Sequence, residues 1–168
     1  MRSIFVRFSK KAVEKCTGCR TCEVSCSFEH EGEFRPSVSR IRIIRSEEHG
    51  VNVPMLCRQC EDPPCKEKCP IDAIKRDEET GAWLVDEDLC IGCNACAEAC
   101  PFGSIFVHPE RHVAVKCDLC GGDPQCVKRC VYGVLKFIEK KHFPLKRARE
   151  VVEELLESQI EEIFASNQ

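Results

Sequence analysis

Sixteen cysteines dominate the chemistry that this 168-residue chain could perform. They form four groups of four: Cys16, Cys19, Cys22 and Cys26; Cys57, Cys60, Cys65 and Cys69; Cys90, Cys93, Cys96 and Cys100; and Cys117, Cys120, Cys126 and Cys130. Groups one and three read C-x2-C-x2-C-x3-C, group two reads C-x2-C-x4-C-x3-C, and group four reads C-x2-C-x5-C-x3-C. Cysteines so close in sequence favour bound metal, because the thiolate is a soft metal ligand.

The spacing within each group predicts cubane iron–sulfur clusters. Three thiolates on a compact loop can reach three irons of one cube, and we expect the fourth Cys to start a short helix and to point elsewhere. This run is typical of bacterial two-cluster ferredoxins, in which the fourth Cys ligates the other cluster. Four complete copies therefore predict four [4Fe–4S] clusters.

Zinc and disulfides are the alternative uses of these cysteines. Structural zinc sites usually join two C-x2-C pairs across an intervening segment, whereas a third Cys follows every pair here within six residues. Disulfides need an oxidising compartment. The first residues, Met1 to Phe8, carry no signal-peptide apolar region and no paired-arginine export signal. We therefore expect a cytoplasmic location and favour clusters over zinc or disulfides.

The residues that follow each fourth cysteine indicate which groups share clusters. Groups two and three end in Cys69-Pro70 and Cys100-Pro101, whereas groups one and four end in Cys26-Ser27 and Cys130-Val131. Groups two and three therefore form one two-cluster unit and, by elimination, groups one and four form the second. The predicted ligand sets are Cys57, Cys60, Cys65 and Cys100; Cys90, Cys93, Cys96 and Cys69; Cys16, Cys19, Cys22 and Cys130; and Cys117, Cys120, Cys126 and Cys26.

The elements that must position these groups are short. Alternating apolar residues predict strands at Ile4–Phe8, Ser39–Arg45, Val51–Met55, Ala73–Arg76, Trp83–Asp86, His112–Val115 and Tyr132–Ile138. We therefore expect an α+β fold made of tandem, nested two-cluster ferredoxin-like units. One unit comprises residues 1–53 plus 108–143, and the other, residues 54–107, is inserted in it. Because the 43% apolar fraction includes the cysteines, metal must supply part of the folding energy.

Residues 144–168 predict a C-terminal amphipathic helix. Pro144 suits a helix start, and apolar side chains recur at helical spacing from Ala148 to Ile163. The helix could pack on the protein's own body or dock to a partner subunit, and a frayed tail is the third alternative.

The cysteine groups and their pairing resemble those of the four-cluster ferredoxin-like subunits of the dimethyl sulfoxide reductase iron–sulfur family. The resemblance covers about residues 1–140 and all sixteen cysteines. The short length most resembles the small subunits of tungsten-dependent aldehyde oxidoreductases, and hydrogenase-linked subunits belong to the same family. The resemblance implies a heteromer with a tungsten or molybdenum pterin subunit. The negative charge that thiolate ligation adds leads us to expect low-potential chemistry under anaerobic conditions.

No catalytic set accompanies the cysteines. The sequence shows no nucleophile–base arrangement, phosphate-cradling glycine loop or Rossmann fingerprint, and full cysteine ligation leaves no iron open to substrate. We therefore expect a non-catalytic subunit that relays single electrons between a catalytic oxidoreductase subunit and a second carrier such as a ferredoxin. A hydrogenase-linked relay and a free soluble polyferredoxin are the alternatives.

Charge and hydropathy exclude two other classes of partner. The net charge of −3 provides no basic footprint for nucleic acid. The sequence also has no run of about 20 apolar residues that could span a membrane. Metal binding would convert thiols to thiolates, so the loaded protein is more negative still, which favours basic docking surfaces.

Overall fold

The computed structural model describes the backbone of residues 4–7 and 14–139 and the side chains of residues 14–138. The α-helices are α1 Thr21–Glu31, α2 Pro64–Glu67, α3 Ala95–Glu98 and α4 Gln125–Lys128, and Pro36–Val38 and Leu119–Gly122 form short 3-10 segments. The strands are β1 Ile4–Arg7, β2 Ile41–Ser46, β3 Val51–Leu56, β4 Ile74–Arg76, β5 Trp83–Val85, β6 Ile105–Val107, β7 Ala114–Lys116 and β8 Lys136–Glu139.

The strands form four two-stranded antiparallel sheets within the described ranges. Three of them, β2–β3, β4–β5 and β6–β7, join strands that are consecutive in the chain. The fourth pairs β1 with β8, with Ile4 opposite Glu139. The chain therefore leaves the β1–β8 sheet, forms the three local hairpins, and returns to it.

The predicted strands all overlap observed ones, with shifted ends. The Tyr132–Ile138 prediction becomes a strand only at Lys136, because Gly133 adopts a left-handed φ of 61° in a preceding turn. β6 was not predicted, because Ile105–Val107 is a continuous apolar run without alternation. The mixed helix and strand fold is thus confirmed, and the tandem nesting of units stays a prediction.

The helices carry the third cysteine of each group, not the fourth. Cys65, Cys96 and Cys126 lie in α2, α3 and α4, and each fourth Cys follows the end of its helix. In group one, α1 runs through both Cys22 and Cys26. The expectation that the fourth Cys starts a helix is therefore wrong. Prolines lie at the start of two of these helices, as is common at helix starts. Pro64 is the first residue of α2, and Pro124 immediately precedes Gln125, the first residue of α4.

Two small apolar cores hold these elements together, and cysteines belong to both. One core contains Cys22, Cys26, Ile41, Leu56, Ala82, Leu119, Cys126 and Leu135. The other contains Cys65, Ile74, Trp83, Cys96, Ile105 and Ala114. Because thiols occupy core positions, what the thiols bind also affects how the cores pack.

Within the part of the chain that the structure describes, none of the helices combines the length and apolar character needed to cross a bilayer. The predicted C-terminal helix, residues 144–168, lies outside the described residues.

Candidate iron–sulfur sites

All four groups share one backbone feature, a left-handed residue directly before the second cysteine. These residues are Gly18, Gln59, Gly92 and Leu119, with φ values of 68°, 48°, 66° and 63°. A positive φ turns the chain back, which keeps the first two cysteines on one compact loop. Glycine adopts this conformation freely, whereas Gln and Leu do so at a cost in free energy.

At two of these positions a side chain would also meet a neighbour. A Cβ at Gly92 would lie 2.1 Å from the carbonyl oxygen of His112, and a Cβ at Gly18 would lie 2.5 Å from Oδ1 of Asn52. Group three therefore needs glycine both for conformation and for space, because its obstacle is backbone, whereas the obstacle in group one is a side chain that can move.

The structure gathers the cysteines into four sites, which we number by the group that supplies three of the four. Three sites are cavities: site 1 is lined by Cys16, Cys19, Cys22 and Cys130, site 2 by Cys57, Cys60, Cys65 and Cys100, and site 3 by Cys69, Cys90, Cys93 and Cys96. Each combines three cysteines of one group with the fourth of another. These are three of the predicted ligand sets, and cluster ligation by them stays a prediction.

Site 4 comprises Cys26, Cys117, Cys120 and Cys126. Cys26 and Cys126 pack in the same apolar core. Burial is the largest cause of the raised pKa of Cys126, and the charges of Cys26 and Cys120 are the next. Burial likewise raises the pKa of Cys117, to which Cys126 and Cys26 also contribute. The four thiols therefore lie within electrostatic reach of one another, as the fourth predicted set requires.

Backbone N–H groups that point at sulfur test whether these sites suit an anionic cluster. Five donate to cysteine Sγ atoms at 3.3–3.5 Å: those of Arg40 to Cys26, Gln59 to Cys57, Ala73 to Cys69, Ser104 to Cys100, and Ala114 to Cys90. Such hydrogen bonds to sulfur are a principal means by which a protein stabilises a thiolate-bound iron–sulfur cluster. The residues present therefore fit the group that the spacing predicts.

Burial raises the pKa of eight of the sixteen thiols and so opposes their charged form. It raises the pKa of Cys22 to about 12 and those of Cys96 and Cys120 to about 11. Cys19 is the opposite case, because hydrogen bonds from the side chain and backbone of Thr21 lower its pKa. The buried thiols are thus protonated at neutral pH without metal, and metal binding must displace their protons.

The four sites form a row. Gln59 of the group two loop donates to the carbonyl oxygen of Cys117, which places site 2 beside site 4. Cys65 and Cys96 pack in one apolar core, which places site 2 beside site 3. Cys22 and Cys126 pack in the other core, which places site 1 beside site 4. The order is therefore site 1, site 4, site 2, site 3.

Exposure follows the same order. Two of the sixteen cysteines are exposed, Cys19 in site 1 and Cys93 in site 3, and both belong to the ends of the row. The cysteines of sites 2 and 4 are buried or half-buried.

Sequence reasoning missed the buried residue that joins sites 2 and 4. Gln59 is 4% exposed, and its Nε2 donates to the carbonyl oxygen of Cys117 at 2.7 Å. Its Oε1 accepts from the backbone N–H of Trp83 at 3.0 Å. The available signal was positional, because Gln59 occupies the place that glycine takes in groups one and three.

His30 is a second residue whose position beside a cysteine site the sequence did not indicate. Its Nε2 lies 3.7 Å from Sγ of Cys120 and 3.4 Å from Oδ1 of Asp118. Burial, followed by the charge of Arg40, lowers the pKa of His30 and favours the neutral ring. These three side chains are close enough to hold a metal ion together. Cys120 already belongs to site 4, so the trio extends that site's surroundings.

Residues 49–140 match the protein family described as "4Fe-4S dicluster domain". The matched stretch spans more than half of the chain, and the chain belongs to this family.

Curated relatives and a solved structure agree with that membership. A Pyrococcus furiosus protein, "Aliphatic sulfonate oxidoreductase, polyferredoxin-like subunit", is 53% identical over 88 residues, which cover 52% of this chain and 50% of that protein. "Electron transport protein HydN" of Escherichia coli is 42% identical over 110 residues, covering 60% and 59% respectively. The active site complex BamBC of benzoyl coenzyme A reductase contains a chain with 27% identity and a TM-score of 0.50, covering 94% of this chain and 91% of that one.

The match spans about half the length of the Pyrococcus relative. The names of the relatives describe an oxidoreductase subunit and an electron transport protein. Together with the family match, these names agree with the expectation of an iron–sulfur electron-transfer subunit.

Proposed function

We propose that this member of the 4Fe-4S dicluster family relays single electrons through four [4Fe–4S] clusters, between a catalytic oxidoreductase subunit and a second carrier. The row of four sites, with an exposed cysteine at each end and none in the middle, is the observation that carries the proposal. A relay needs neighbouring sites to be close, because electron tunnelling falls steeply with distance. It also needs both ends to reach the surface.

In this proposal all sixteen cysteines are ligands, in the four sets that form sites 1 to 4. Sites 2 and 3 exchange their fourth cysteines, and so do sites 1 and 4. The chain would then consist of two nested two-cluster units, residues 1–53 plus 108–143 and the inserted residues 54–107. The exchange of fourth ligands holds the two clusters of each unit side by side.

The surroundings of the two end sites suit contact with other proteins. Val131 and Tyr132 directly follow Cys130 of site 1 and are 84% and 50% exposed. Leu89 and Ile91 flank Cys90 of site 3 and are also exposed. Apolar groups exposed beside a redox site are typical of protein-binding surfaces. We infer that the catalytic subunit covers one end and the second carrier covers the other.

For the partner, we propose a tungsten or molybdenum pterin enzyme of the aldehyde oxidoreductase type, with a hydrogenase as second candidate. The cysteine pattern, which resembles the dimethyl sulfoxide reductase iron–sulfur family, supports this assignment. A polyferredoxin-like relative that is named as an oxidoreductase subunit also supports it. The C-terminal segment, residues 144–168, is proposed as a further docking element in the complex.

A metal inventory of the protein purified anaerobically from its source, with whatever co-purifies, tests the proposal. We expect about sixteen irons per chain, four for each of four clusters, together with tungsten or molybdenum. Nickel in place of those metals would indicate a hydrogenase partner. Iron alone, eluting near the 19.1 kDa of the single chain, would indicate a free polyferredoxin. Zinc without iron would overturn the proposal.

Substitutions at the two ends of the row test which partner exchanges electrons with each end. Val131→Glu and Ile91→Glu each place a charge beside one end site without changing a cysteine. Each should slow electron exchange with one partner and leave iron content unchanged. Phe34→Glu is the control, because Phe34 is exposed, stacks on Phe28 and does not line the cavity of either end site. If neither end variant changes either rate, the row is not the electron path.

A further inference from the structure

Lys116 is the one lysine or arginine that is buried among the side chains the structure describes. It ends β7, directly before Cys117, and lines the site 2 cavity together with Cys57, Cys60, Cys65 and Cys100. Its Nζ donates to the carbonyl oxygen of Trp83 at 2.7 Å, and the residue is only 4% exposed. A buried ammonium group therefore lies beside four thiols.

No carboxylate forms an ion pair with Lys116 in residues 14–138. Burying a charge without a counter-charge is expensive, so buried ammonium groups are normally paired. Arg40, close to site 4, shows the usual arrangement, since its guanidinium group contacts Oδ2 of Asp118 at 2.8 Å. Glu87 and Asp118 line a second cavity with Lys116, but they pair with Arg111 and Arg40. In the site 2 cavity, the groups beside Lys116 that become anionic as thiolates are the four cysteines.

We propose that Lys116 raises the reduction potential of site 2 above the value that the same site would have without the charge. This inference rests on the proposed function, since it requires a cluster at site 2. One electron enters the site when it is reduced, no bond forms or breaks, and the site becomes more negative by one charge. A fixed cation at its wall stabilises the reduced state more than the oxidised state, because the attraction grows with the negative charge.

The surroundings of Lys116 also assign this effect to site 2 in particular. Lys116 lines the cysteine cavity of site 2 and neither of the cavities of sites 1 and 3. At site 4 the nearby cation, Arg40, is already neutralised by Asp118. Of the two inner sites, site 2 therefore receives the uncompensated positive charge, and electrons should reside there in preference to site 4.

A structural role for Lys116 is separable from an electrostatic one. Lys116→Gln removes the charge but keeps an N–H donor that can reach toward the carbonyl oxygen of Trp83. Lys116→Met removes both the charge and the donor, and Lys116→Arg keeps both. Lys75→Gln is the matched control, because Lys75 is an exposed lysine on β4 whose contact with Asp86 is 3.7 Å long.

The experiment is an anaerobic redox titration of the loaded full-length protein, followed by electron paramagnetic resonance and by iron analysis. We expect Lys116→Gln and Lys116→Met to lower the reduction equilibrium constant of one cluster by about tenfold or more. A tenfold change corresponds to 59 mV for a one-electron couple. Lys116→Arg and Lys75→Gln should leave every midpoint near its original value.

The affected cluster is assigned by repeating the titration in a Cys60→Ser background, which alters the signal of site 2. The shift should fall on that altered signal. Unchanged midpoints in Lys116→Gln, with iron content intact, would overturn the inference, and so would a shift on any other signal. If Lys116→Met loses iron, the midpoints of Lys116→Gln alone decide whether the inference holds. Absence of clusters from the unsubstituted protein would instead overturn the proposed function, so the two failures are distinct.

Discussion

The fourth cysteines of groups two and three are held differently from that of group one, although the same three-residue gap separates the third and fourth cysteines in all three groups. Cys69 and Cys100 each accept a hydrogen bond from the N–H four residues later, at 3.3 and 3.4 Å, and each follows a four-residue helix. Cys26 lies inside the eleven-residue α1 and accepts from Arg40, fourteen residues later. The spacing therefore determines the loop that carries the first thiols of each group, whereas the hydrogen bond to the fourth thiol comes from a different part of the chain in group one than in groups two and three.

Groups two and three lie in residues 54–107, which we call the inner region. The described residues outside this range form the outer region. The contacts that join the two regions include a buried, neutral one and a half-exposed, ionic one. Gln59 bonds to Cys117 in a buried, neutral contact. Arg111 forms half-exposed ion pairs with Glu31 of α1 and Glu87 of the inner region, at 2.9 and 2.8 Å. The predictions below test whether the regions depend on each other and which contact couples them.

Removal of iron should have the largest effect. Because buried cysteines belong to both apolar cores, and a bound metal contributes directly to folding, we expect both regions to lose their fixed structure together. Circular dichroism and amide NMR spectra of the chelator-treated, reduced protein measure this. Persistence of native signals from one region would show that its core is sufficient by itself.

The two crowded glycines should differ in how much they tolerate a methyl group. Gly92→Ala, in the inner region, forces a left-handed alanine against the backbone of His112, and we expect a loss of about 3 kcal/mol from conformation and overpacking together. Gly18→Ala, in the outer region, meets the side chain of Asn52, which can turn away, so we expect about 1–2 kcal/mol. Thermal unfolding under anaerobic conditions compares the two variants.

If Gly18→Ala proves the more damaging of the two, Asn52 is fixed more firmly than its side chain suggests. The hydrogen bond from its Nδ2 to the carbonyl oxygen of Cys16, 3.1 Å long, would then be the reason. Asn52→Ala combined with Gly18→Ala separates the two effects, because the double variant removes the obstacle.

The buried Gln59 contact between the regions should contribute more to the free energy of unfolding than the ionic Arg111 contact. Gln59→Ala leaves a buried carbonyl and a buried N–H without partners, and we expect a loss of about 2–4 kcal/mol. Gln125→Ala is the control, since the Gln125 side chain forms exposed bonds to Asp123 and should change stability by less than about 0.5 kcal/mol. Equal melting temperatures for the two variants would contradict this ranking.

Arg111→Ala should have the smallest effect. Ion pairs that water reaches usually contribute less than about 1 kcal/mol, and salt weakens them. We expect a small drop in melting temperature at low ionic strength that disappears in high salt. A large, salt-independent loss would show that Arg111, rather than Gln59, holds the inner and outer regions together.

The sequence predicted the grouping of the thiols better than it predicted the scaffold. Repeated spacing and the Cys-Pro pairs indicated which cysteines the fold brings together, because both features are local. The helices were misplaced by several residues, since the cysteines themselves interrupt the apolar periodicity that usually marks a helix. Gly18 and Gly92 indicated their left-handed turns, whereas Gln59 and Leu119 carried no such sign.

Lys116 and Gln59 could not be recognised from sequence, because burial of a polar residue depends on contacts between distant segments. The lysine precedes group four in the chain, but it lines the site of group two. The bond of its ammonium group to Trp83 joins residues 33 positions apart. Only the folded structure shows that Lys116 is buried.

The β1–β8 pairing has a consequence for how the protein is made. β1 leaves the ribosome first but finds its partner only when β8 follows, after nearly all of the described chain has been synthesised. The hairpins β4–β5 and β6–β7 close between near neighbours, and local contacts form faster than distant ones. We therefore expect sites 2 and 3 to assemble first on the nascent chain, and site 1, which needs Cys130, to close last.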